Sequence, residues 1–360
     1  MQTRKQFIKQ ICAIAAGTSW LTTDNLMGFA TPAPPKSIYF DFHCHPSWAM
    51  SERNFANNAE SGLTQTVSDM KTGHLTGGFL ALVADAPLLK PGPKGMMINR
   101  RYLPGEGWAE YKRQLAKLRE VFGSLSIPFS TDLSSLTAER KAPFAYLAVE
   151  GGDFLDDQIS RIEEAYQDGV RSIQLVHYAP NNLGDLQTAD PAFNGLSSFG
   201  KDVIRKMNEL GMAIDVAHAS FQTTKAVADL TKAPIMLSHS ILQMEADRPI
   251  AVRAISKEHA NVVADTGGVI GAWPSGFNKS FDEYIDNILR LVDVVGVDHV
   301  GIGTDMSANF QPVMTSYIQY PQIEEALSRK GLSRSDVGKI MGGNAKSVLT
   351  KIAKAGSMKN

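Results

Sequence analysis

The sequence predicts an α/β fold, a single (β/α)8 barrel of the TIM type, from three observations. Eight short apolar runs alternate with longer amphipathic stretches after Pro35. The 360 residues exceed an average domain but are normal for one barrel with insertions. At the ends of six of the eight runs we single out a histidine or an acidic residue as a candidate, because a barrel brings its strand ends together at one mouth.

The eight apolar runs are predicted to be strands, because continuous runs of Val, Ile, Leu and Ala are typical of strands that are buried on both faces. A doubly wound open sheet is the alternative that the same alternation allows. The predicted strands are Ser37–Phe42, Gly77–Ala84, Phe144–Val149, Arg171–Val176, Met212–Ala217, Pro234–Leu237, Gly268–Ala272 and His299–Gly303.

Helices are predicted where amphipathic stretches end at or just before a glycine, the residue that most easily closes a helix. The clearest are Asp153–Gln167, Phe199–Leu210 and Phe281–Val295. The segment 87–126 begins with a Pro- and Gly-rich run and continues as a helix-like stretch, so we expect an insertion between the second and third strands. The expected organisation is an export signal over residues 1–33 and one catalytic barrel over residues 34–360.

The N-terminus has the pattern of an export signal. Arg4, Lys5 and Lys9 precede an apolar stretch over residues 11–21, and small and polar residues follow it through Ala33. The basic run is similar to a twin-arginine signal with Lys in the second arginine position. We expect removal of the segment, a periplasmic location and no stable transmembrane span in the mature chain; a frayed helix or an uncleaved anchor is the alternative.

Composition excludes some classes of function. Hydrophobic residues make up 43% of the chain and charged residues 20%, so a large core is expected. The net charge of -1 and the absence of a dense Lys/Arg block give no support to nucleic-acid binding. Only Cys44 would remain after loss of the signal that holds Cys12, so the mature chain could form no internal disulfide.

The chemistry-bearing residues stand at the predicted strand ends. His43 and His45 are two residues apart on an extended segment, so they should project to one side while Cys44 projects to the other. Imidazole and carboxylate groups suit zinc, and one thiol that faces away does not change that preference. The remaining candidates are Glu150, His177, His218, His239 and Asp305.

Each candidate also has a structural interpretation. A histidine after an apolar strand is often a hydrogen-bonded structural residue. Glu150 could be a helix cap or a buried ion-pair partner, and Asp305 could cap the following helix. Their ordered placement at successive strand ends favours a metal site over these readings. His74, His259 and His299 lack that placement and are assigned no role.

These residues, in this order, resemble the membrane (renal) dipeptidase family of metallopeptidases, peptidase family M19. The similarity runs from about Ser37 to the C-terminal helix and is densest over 195–240. The motifs that carry it are Gly195-Leu196-Ser197-Ser198-Phe199-Gly200, Asp215-Val216-Ala217-His218-Ala219-Ser220, Pro234-Ile235-Met236-Leu237-Ser238-His239-Ser240 and Gly301-Ile302-Gly303-Thr304-Asp305.

The resemblance implies a barrel of the metal-dependent hydrolase type that holds two divalent metal ions, zinc by expectation. Carried over by position, His43 and His45 bind the first ion and His218 and His239 bind the second. Glu150 bridges the two ions. The substrate implied is a small peptide, and the family relationship implies a homodimer.

The resemblance also implies roles for three other residues. Asp305 is the general base, and His177 polarises the scissile carbonyl and stabilises the oxyanion. Arg248, in Ala246-Asp247-Arg248-Pro249, holds the C-terminal carboxylate of the substrate. Zinc-dependent hydrolysis of a dipeptide is therefore the expected activity.

Three positions depart from the family pattern. His45 stands where the family usually has Asp, which keeps a ligand but removes one negative charge. Pro249 follows the candidate arginine in place of Asn, and Met306-Ser307-Ala308 follows Asp305 in place of an apolar residue, Asp and Gly. The departures leave two alternatives open: hydrolysis of another amide, a lactam or an N-acyl amino acid, and a non-catalytic binding or maturation role.

Overall fold

A computed structural model describes residues 37–45, 59–92, 95–125, 127–138, 143–244 and 251–357 of the chain. The predicted export signal over residues 1–33 and the Arg248 segment lie outside these described residues. Among the described residues, no helix combines the length and the apolar character needed to cross a membrane.

Ten strands are present in the described residues, and eight of them form a closed parallel barrel. The strands are β1 (Phe40–Cys44), β2 (Gly77–Val83), β3 (Leu89–Gly92), β4 (Gly95–Ile98), β5 (Phe144–Glu150), β6 (Val170–Gln174), β7 (Ala213–Asp215), β8 (Met236–Ser240), β9 (Val269–Ala272) and β10 (Val300–Ile302). The barrel order is β1-β10-β9-β8-β7-β6-β5-β2, and β3 and β4 form a separate antiparallel hairpin. Pairing of Asp41 with Ile302 closes the barrel between its first and last strands.

A helix follows every barrel strand. The helices are α1 (Ala59–Thr72), α2 (Glu106–Leu125), α3 (Ser160–Gln167), α4 (Ser198–Leu210), α5 (Phe221–Leu230), α6 (Lys257–Asp265), α7 (Phe281–Val295), α8 (Tyr320–Arg329), α9 (Arg334–Gly338) and α10 (Asn344–Ser357). This alternation confirms the predicted (β/α)8 fold, and the closed barrel excludes the open doubly wound sheet.

The predicted elements match the observed ones closely, with one exception. Each predicted strand overlaps a barrel strand, and the helix predicted over Phe281–Val295 has those bounds in the structure. The helix predicted over Asp153–Gln167 is wrong in its first half. A short 3-10 turn is followed by Asp156 and Asp157, whose φ angles of 49° and 58° interrupt the right-handed helix before α3.

The segment expected to be an insertion, 87–126, contains two different parts. The hairpin β3–β4 extends from the end of β2. Helix α2 then provides the crossover from β2 to the parallel strand β5. Gln114 of α2 accepts a hydrogen bond from Val83 N at 3.1 Å and donates one to Val83 O at 2.8 Å, which ties this helix to the end of β2.

Aromatic side chains fill the barrel below the strand ends. The ring centroids of Phe40, Phe79 and Tyr146 lie 5.4 to 6.2 Å apart, and α10 packs against the same cluster. Tyr146 precedes Glu150 by four residues on β5, so the two side chains share one face of the strand. The cluster therefore forms an apolar floor under the mouth that carries the polar residues.

Candidate metal centre

The Glu150 carboxylate lies at the centre of the barrel mouth. Its Oε1 atom is 3.5 Å from the Nε2 atoms of His43, His177 and His218, and its Oε2 atom is 3.5 Å from His45 Nε2. All of these side chains are buried. Histidines from β1 and from the segments that follow β1, β6 and β7 thus point to one carboxylate at the end of β5.

Two further residues complete the group. His239 Nε2 lies 3.1 Å from His218 Nε2 and 4.0 Å from Glu150 Oε1. Asp305 Oδ1 lies 3.1 Å from His45 Nε2. The structure therefore brings together all seven residues that the sequence placed at the strand ends.

The residues present fit divalent cations. Three overlapping groups have ligand atoms within 4.8 Å of one another: His43, His45 and Asp305; His43, Glu150 and His239; and Glu150, His177 and His218. Imidazole nitrogens that face each other at 3.1 to 3.3 Å around a carboxylate provide lone pairs to a common centre. Such a nitrogen- and oxygen-rich set is typical of zinc sites.

The pKa shifts of Glu150, His218 and His239 agree with a metal site. Burial alone would raise the pKa of Glu150, but the surrounding imidazoles hold it well below its usual range. Burial and the positive charge of Arg253 lower the pKa of His218, and burial together with His43 lowers that of His239. Glu150 as an anion and these two imidazoles as neutral groups have the protonation states that coordination requires.

His43 and His177 differ from the other two imidazoles. Burial lowers the pKa of each ring, but the carboxylates outweigh it and raise the pKa of both to about 9. The main carboxylate is Glu150 for His43 and Asp85 for His177. In the polypeptide alone, the negative charge of the site is thus balanced by protons on these two rings.

Backbone turns at the strand ends aim the side chains inward. His218 and Asp305 have φ angles of 64° and 52°, in the left-handed region that is costly for residues with a Cβ atom. Asp305 N donates to His43 O at 2.8 Å, and His45 N donates to Met306 O at 3.0 Å. These bonds join the end of β1 to the loop after β10 and offset part of the local strain.

A buried carboxylate supports the end of β1. Asp41 Oδ1 accepts hydrogen bonds from His43 N at 3.1 Å and Thr304 N at 2.9 Å. Its Oδ2 accepts from Thr304 Oγ1 at 2.5 Å and Tyr317 OH at 2.6 Å. Asp41 therefore holds the backbone of both His43 and the residue before Asp305.

Two other contacts orient the histidine rings. Ser238 Oγ lies 3.3 Å from His43 Nδ1 and 3.1 Å from His239 Nδ1. His45 Nδ1 lies 3.1 Å from the carbonyl oxygen of Ala81, which fixes Nδ1 as the protonated nitrogen. In these rings Nε2 is consequently the atom that faces the centre, as expected when the other nitrogen is held by a neighbour.

Cys44 and the three unassigned histidines lie apart from the centre. Cys44 Sγ donates to Phe79 O at 3.3 Å, away from its flanking histidines. His259 Nε2 lies 2.7 Å from Thr224 Oγ1, and His299 Nδ1 lies 2.8 Å from Gly268 O. His74 follows α1 with a φ angle of 59°. The hydrogen bonds of Cys44, His259 and His299 therefore join these side chains to the surrounding fold and not to the metal centre.

Sequence reasoning missed Arg253, which reaches the site from the loop after β8. This side chain is 1% exposed, and its Nη2 atom lies 3.4 Å from His239 Nε2. Its Nη1 atom donates to Gln187 Oε1, and its guanidinium lies 5.6 Å from the ring centroid of Trp273. Among the described residues, Arg253 Nε and Trp273 Nε1 are buried and have no hydrogen-bond partner.

One signal for Arg253 was present in the sequence, its nearness to the candidate Arg248. Arg253 precedes Ser256, the N-cap of α6, and lies five residues after Arg248 in the stretch of sequence between β8 and α6. This stretch contains two arginines, and the sequence alone does not show which of them reaches the site.

The family described as membrane dipeptidase (peptidase family M19) matches residues 30–360. A dipeptidase, tcpJ, from Claviceps purpurea is 28% identical over 57% of this chain and 50% of its own length. An uncharacterized dipeptidase from Schizosaccharomyces pombe is 26% identical over 76% of this chain and 70% of its own length. The chain thus spans about half the length of the first of these relatives.

Solved structures share the fold. A metallo peptidase from Rhodobacter sphaeroides, liganded with a phosphinate mimic of the dipeptide L-Ala-D-Ala, has a TM-score of 0.74 at 17% identity, with 88% of this chain and 100% of that chain covered. An amidohydrolase from Pseudomonas aeruginosa has a TM-score of 0.70 at 21% identity, with 88% and 97% covered. At these identities the likeness establishes the barrel architecture only.

Proposed function

Because the chain belongs to the membrane dipeptidase family, peptidase family M19, we propose that it is a zinc-dependent dipeptidase with two metal ions per chain. The observation that carries this proposal is the convergence of His43, His45, His218 and His239 on the Glu150 carboxylate. His43 and His45 would hold one ion, His218 and His239 the other, and Glu150 both. Bound ions of this kind supply Lewis acidity and lower the pKa of water to near neutral.

The remaining residues would handle protons and charge. Asp305 would accept the proton of the attacking water and pass it to the leaving amine. His177 Nε2 lies 3.5 Å from Glu150 Oε1 and would donate to the carbonyl oxygen as negative charge develops on it. Asp305 would thus act on the water and the leaving amine, and His177 would act on the carbonyl oxygen. Amide hydrolysis requires both the proton transfer and the stabilisation of this oxygen.

Arg253 is the residue that we propose for binding the substrate carboxylate. Its guanidinium is buried next to His239, and a planar fork of donors suits a carboxylate better than the point charge of lysine. The indole N–H of Trp273, whose ring centroid lies 5.6 Å from the guanidinium, is a second buried donor with no hydrogen-bond partner in the described part of the chain. Arg248 remains the sequence-based candidate for the same role, and substitution of each arginine separates the two.

Metal analysis combined with a dipeptide-library assay tests the proposed function. We expect about two zinc ions per chain and hydrolysis of free dipeptides. Exclusive cleavage of lactams or N-acyl amino acids would retain the metal site but refute the dipeptide substrate. A metal-loaded protein that cleaves no amide would identify a binding member of the family.

We propose export to the periplasm and a mature single-domain chain that forms a homodimer. The support for export is the order of basic, apolar and small residues over positions 1–33. N-terminal sequencing of the native protein should find a start between Ala30 and Lys36 in the extracytoplasmic fraction. A start at Met1 in the cytosol would contradict export, and a monomer in light scattering would contradict the dimer.

A further inference from the structure

We propose that Asp85 is a positioning residue for His177, which it holds with the proton on Nδ1 and with Nε2 aimed at the centre of the site. The inference rests on the proposed hydrolytic function, because it assigns Asp85 a role through a residue of that site. Asp85 follows the end of β2, a strand for which sequence analysis found no chemistry-bearing residue. With Asp85 included, β2 also contributes to the barrel mouth.

The contacts of Asp85 are directed at His177 and the two residues after it. Oδ1 lies 2.6 Å from His177 Nδ1, within the range of charge-assisted hydrogen bonds. Oδ2 accepts from Tyr178 N at 3.1 Å and Ala179 N at 2.8 Å. The Asp85 side chain is fully buried, so these donors take the place of water around its charge.

This arrangement determines where His177 carries a proton. A carboxylate can only accept, so Nδ1 must be the donor of the short bond. The bonds to Tyr178 N and Ala179 N hold the backbone that follows His177. The bond to Nδ1 then limits how far the ring can rotate relative to that backbone. Nε2 then points to Glu150 Oε1 at 3.5 Å, and the ring contacts His218 with centroids 4.6 Å apart. Asp85 thus fixes the orientation of the ring and keeps Nδ1 protonated, so the proton that His177 would donate to the carbonyl oxygen is the second one, which the cationic ring carries on Nε2.

Asp85→Asn is the most selective test, because it preserves volume. The amide oxygen can still accept from Tyr178 N and Ala179 N, which leaves the amide NH2 group facing His177 Nδ1. Two donors then oppose each other, and the ring must move its proton or turn. We expect kcat to fall about 10- to 100-fold, as for other residues that orient an active group, with KM within about threefold and metal content unchanged.

A double-mutant cycle separates positioning from a structural role. In the His177→Ala background, Asp85→Asn should lower kcat no further, since the residue through which it acts is absent. Asp185→Asn is the matched control, because the buried Asp185 carboxylate accepts from Ala192 N, Phe193 N and Gly195 N and, within the described part of the chain, makes no hydrogen bond to a site histidine. Asp185→Asn should lower Tm and have the same effect on kcat in both backgrounds.

A spectroscopic readout makes the inference independent of turnover. With 15N-labelled histidine, the native protein should show an Nδ1–H resonance that is lost in both His177→Ala and Asp85→Asn. Equal losses of kcat on Asp85→Asn in both backgrounds, or persistence of that resonance in Asp85→Asn, would overturn the inference and leave the hydrolase intact. If the native protein cleaves no amide, the proposed function fails, while the resonance still decides how Asp85 holds the ring.

Discussion

Replacement of Arg253 by Met is the most direct test of how this site selects its substrate. The substitution removes a positive charge that lies 3.4 Å from His239 Nε2 and keeps an unbranched apolar side chain of similar reach. Because Arg253 is 1% exposed, a substrate carboxylate that pairs with it would also be shielded from water. Loss of such a charge-assisted contact costs about 2–4 kcal/mol.

That energy corresponds to a fall of about 30- to 700-fold in kcat/KM for a free dipeptide, at about 1.4 kcal/mol for each factor of ten. Most of the change should be in KM, since the carboxylate is held equally before and during the reaction. A dipeptide amide, which lacks the carboxylate, should already be a poor substrate of the native enzyme. The Arg253→Met substitution should therefore change its hydrolysis little.

Arg171→Met provides the matched control for Arg253→Met. Arg171 is also buried, but it lies at the opposite end of the barrel, where it donates to Thr131 O at 2.5 Å and stacks 3.9 Å from the Tyr166 ring centroid. The control should lower Tm without changing kcat/KM. Equal losses for free and capped dipeptides in Arg253→Met, or a selective loss in Arg248→Met alone, would refute the role of Arg253.

Three other outcomes are expected. Asp305→Asn should lower kcat by orders of magnitude with nearly unchanged KM in steady-state assays, because it removes a proton acceptor used only on the way to the transition state. Glu150→Ala should lose most bound metal in elemental analysis, whereas His299→Ala, at the other end of the barrel, should retain it. Burial and the neighbouring Asp85 carboxylate raise the pKa of Asp153 to about 7. The ionised form of Asp153 is thus disfavoured in the folded state, so the free energy of unfolding should fall as pH rises from about 4 to 7. Asp153→Asn should raise the free energy of unfolding by on the order of 2–4 kcal/mol at pH 8 and change it little at pH 4, as measured by chemical denaturation.

The fold could be predicted from the sequence because its strands are buried on both faces. Continuous apolar runs mark such strands without regard to their neighbours, and glycines mark the ends of the helices between them. The first half of the helix predicted over Asp153–Gln167 failed for a local reason. Asp156 and Asp157 both adopt left-handed backbone angles, which a pattern of apolar residues does not reveal.

The site could be predicted in part, for a related reason. A parallel barrel converts positions at strand ends into neighbours, so His43, Glu150 and His239 could be grouped before any distance was known. Asp85 was missed although it directly follows the predicted strand Gly77–Ala84, and Arg253 was missed because arginine is common in loops and only its contacts distinguish it. Asp85 is identified by its bond to His177 and Arg253 by its burial, and both are properties of the folded chain.

The structure also explains how His45 can replace the Asp that is usual at this position in the family. An imidazole reaches farther from β1 than the Asp that is usual at this position in the family. Its Nδ1 atom is held by Ala81 O, and its Nε2 atom lies 3.1 Å from Asp305 Oδ1. A side chain that can serve as a metal ligand is thus retained at this position and contacts the proposed base directly, while the site loses one negative charge. The anionic charge available to balance metal ions at this site is consequently concentrated on Glu150 and Asp305.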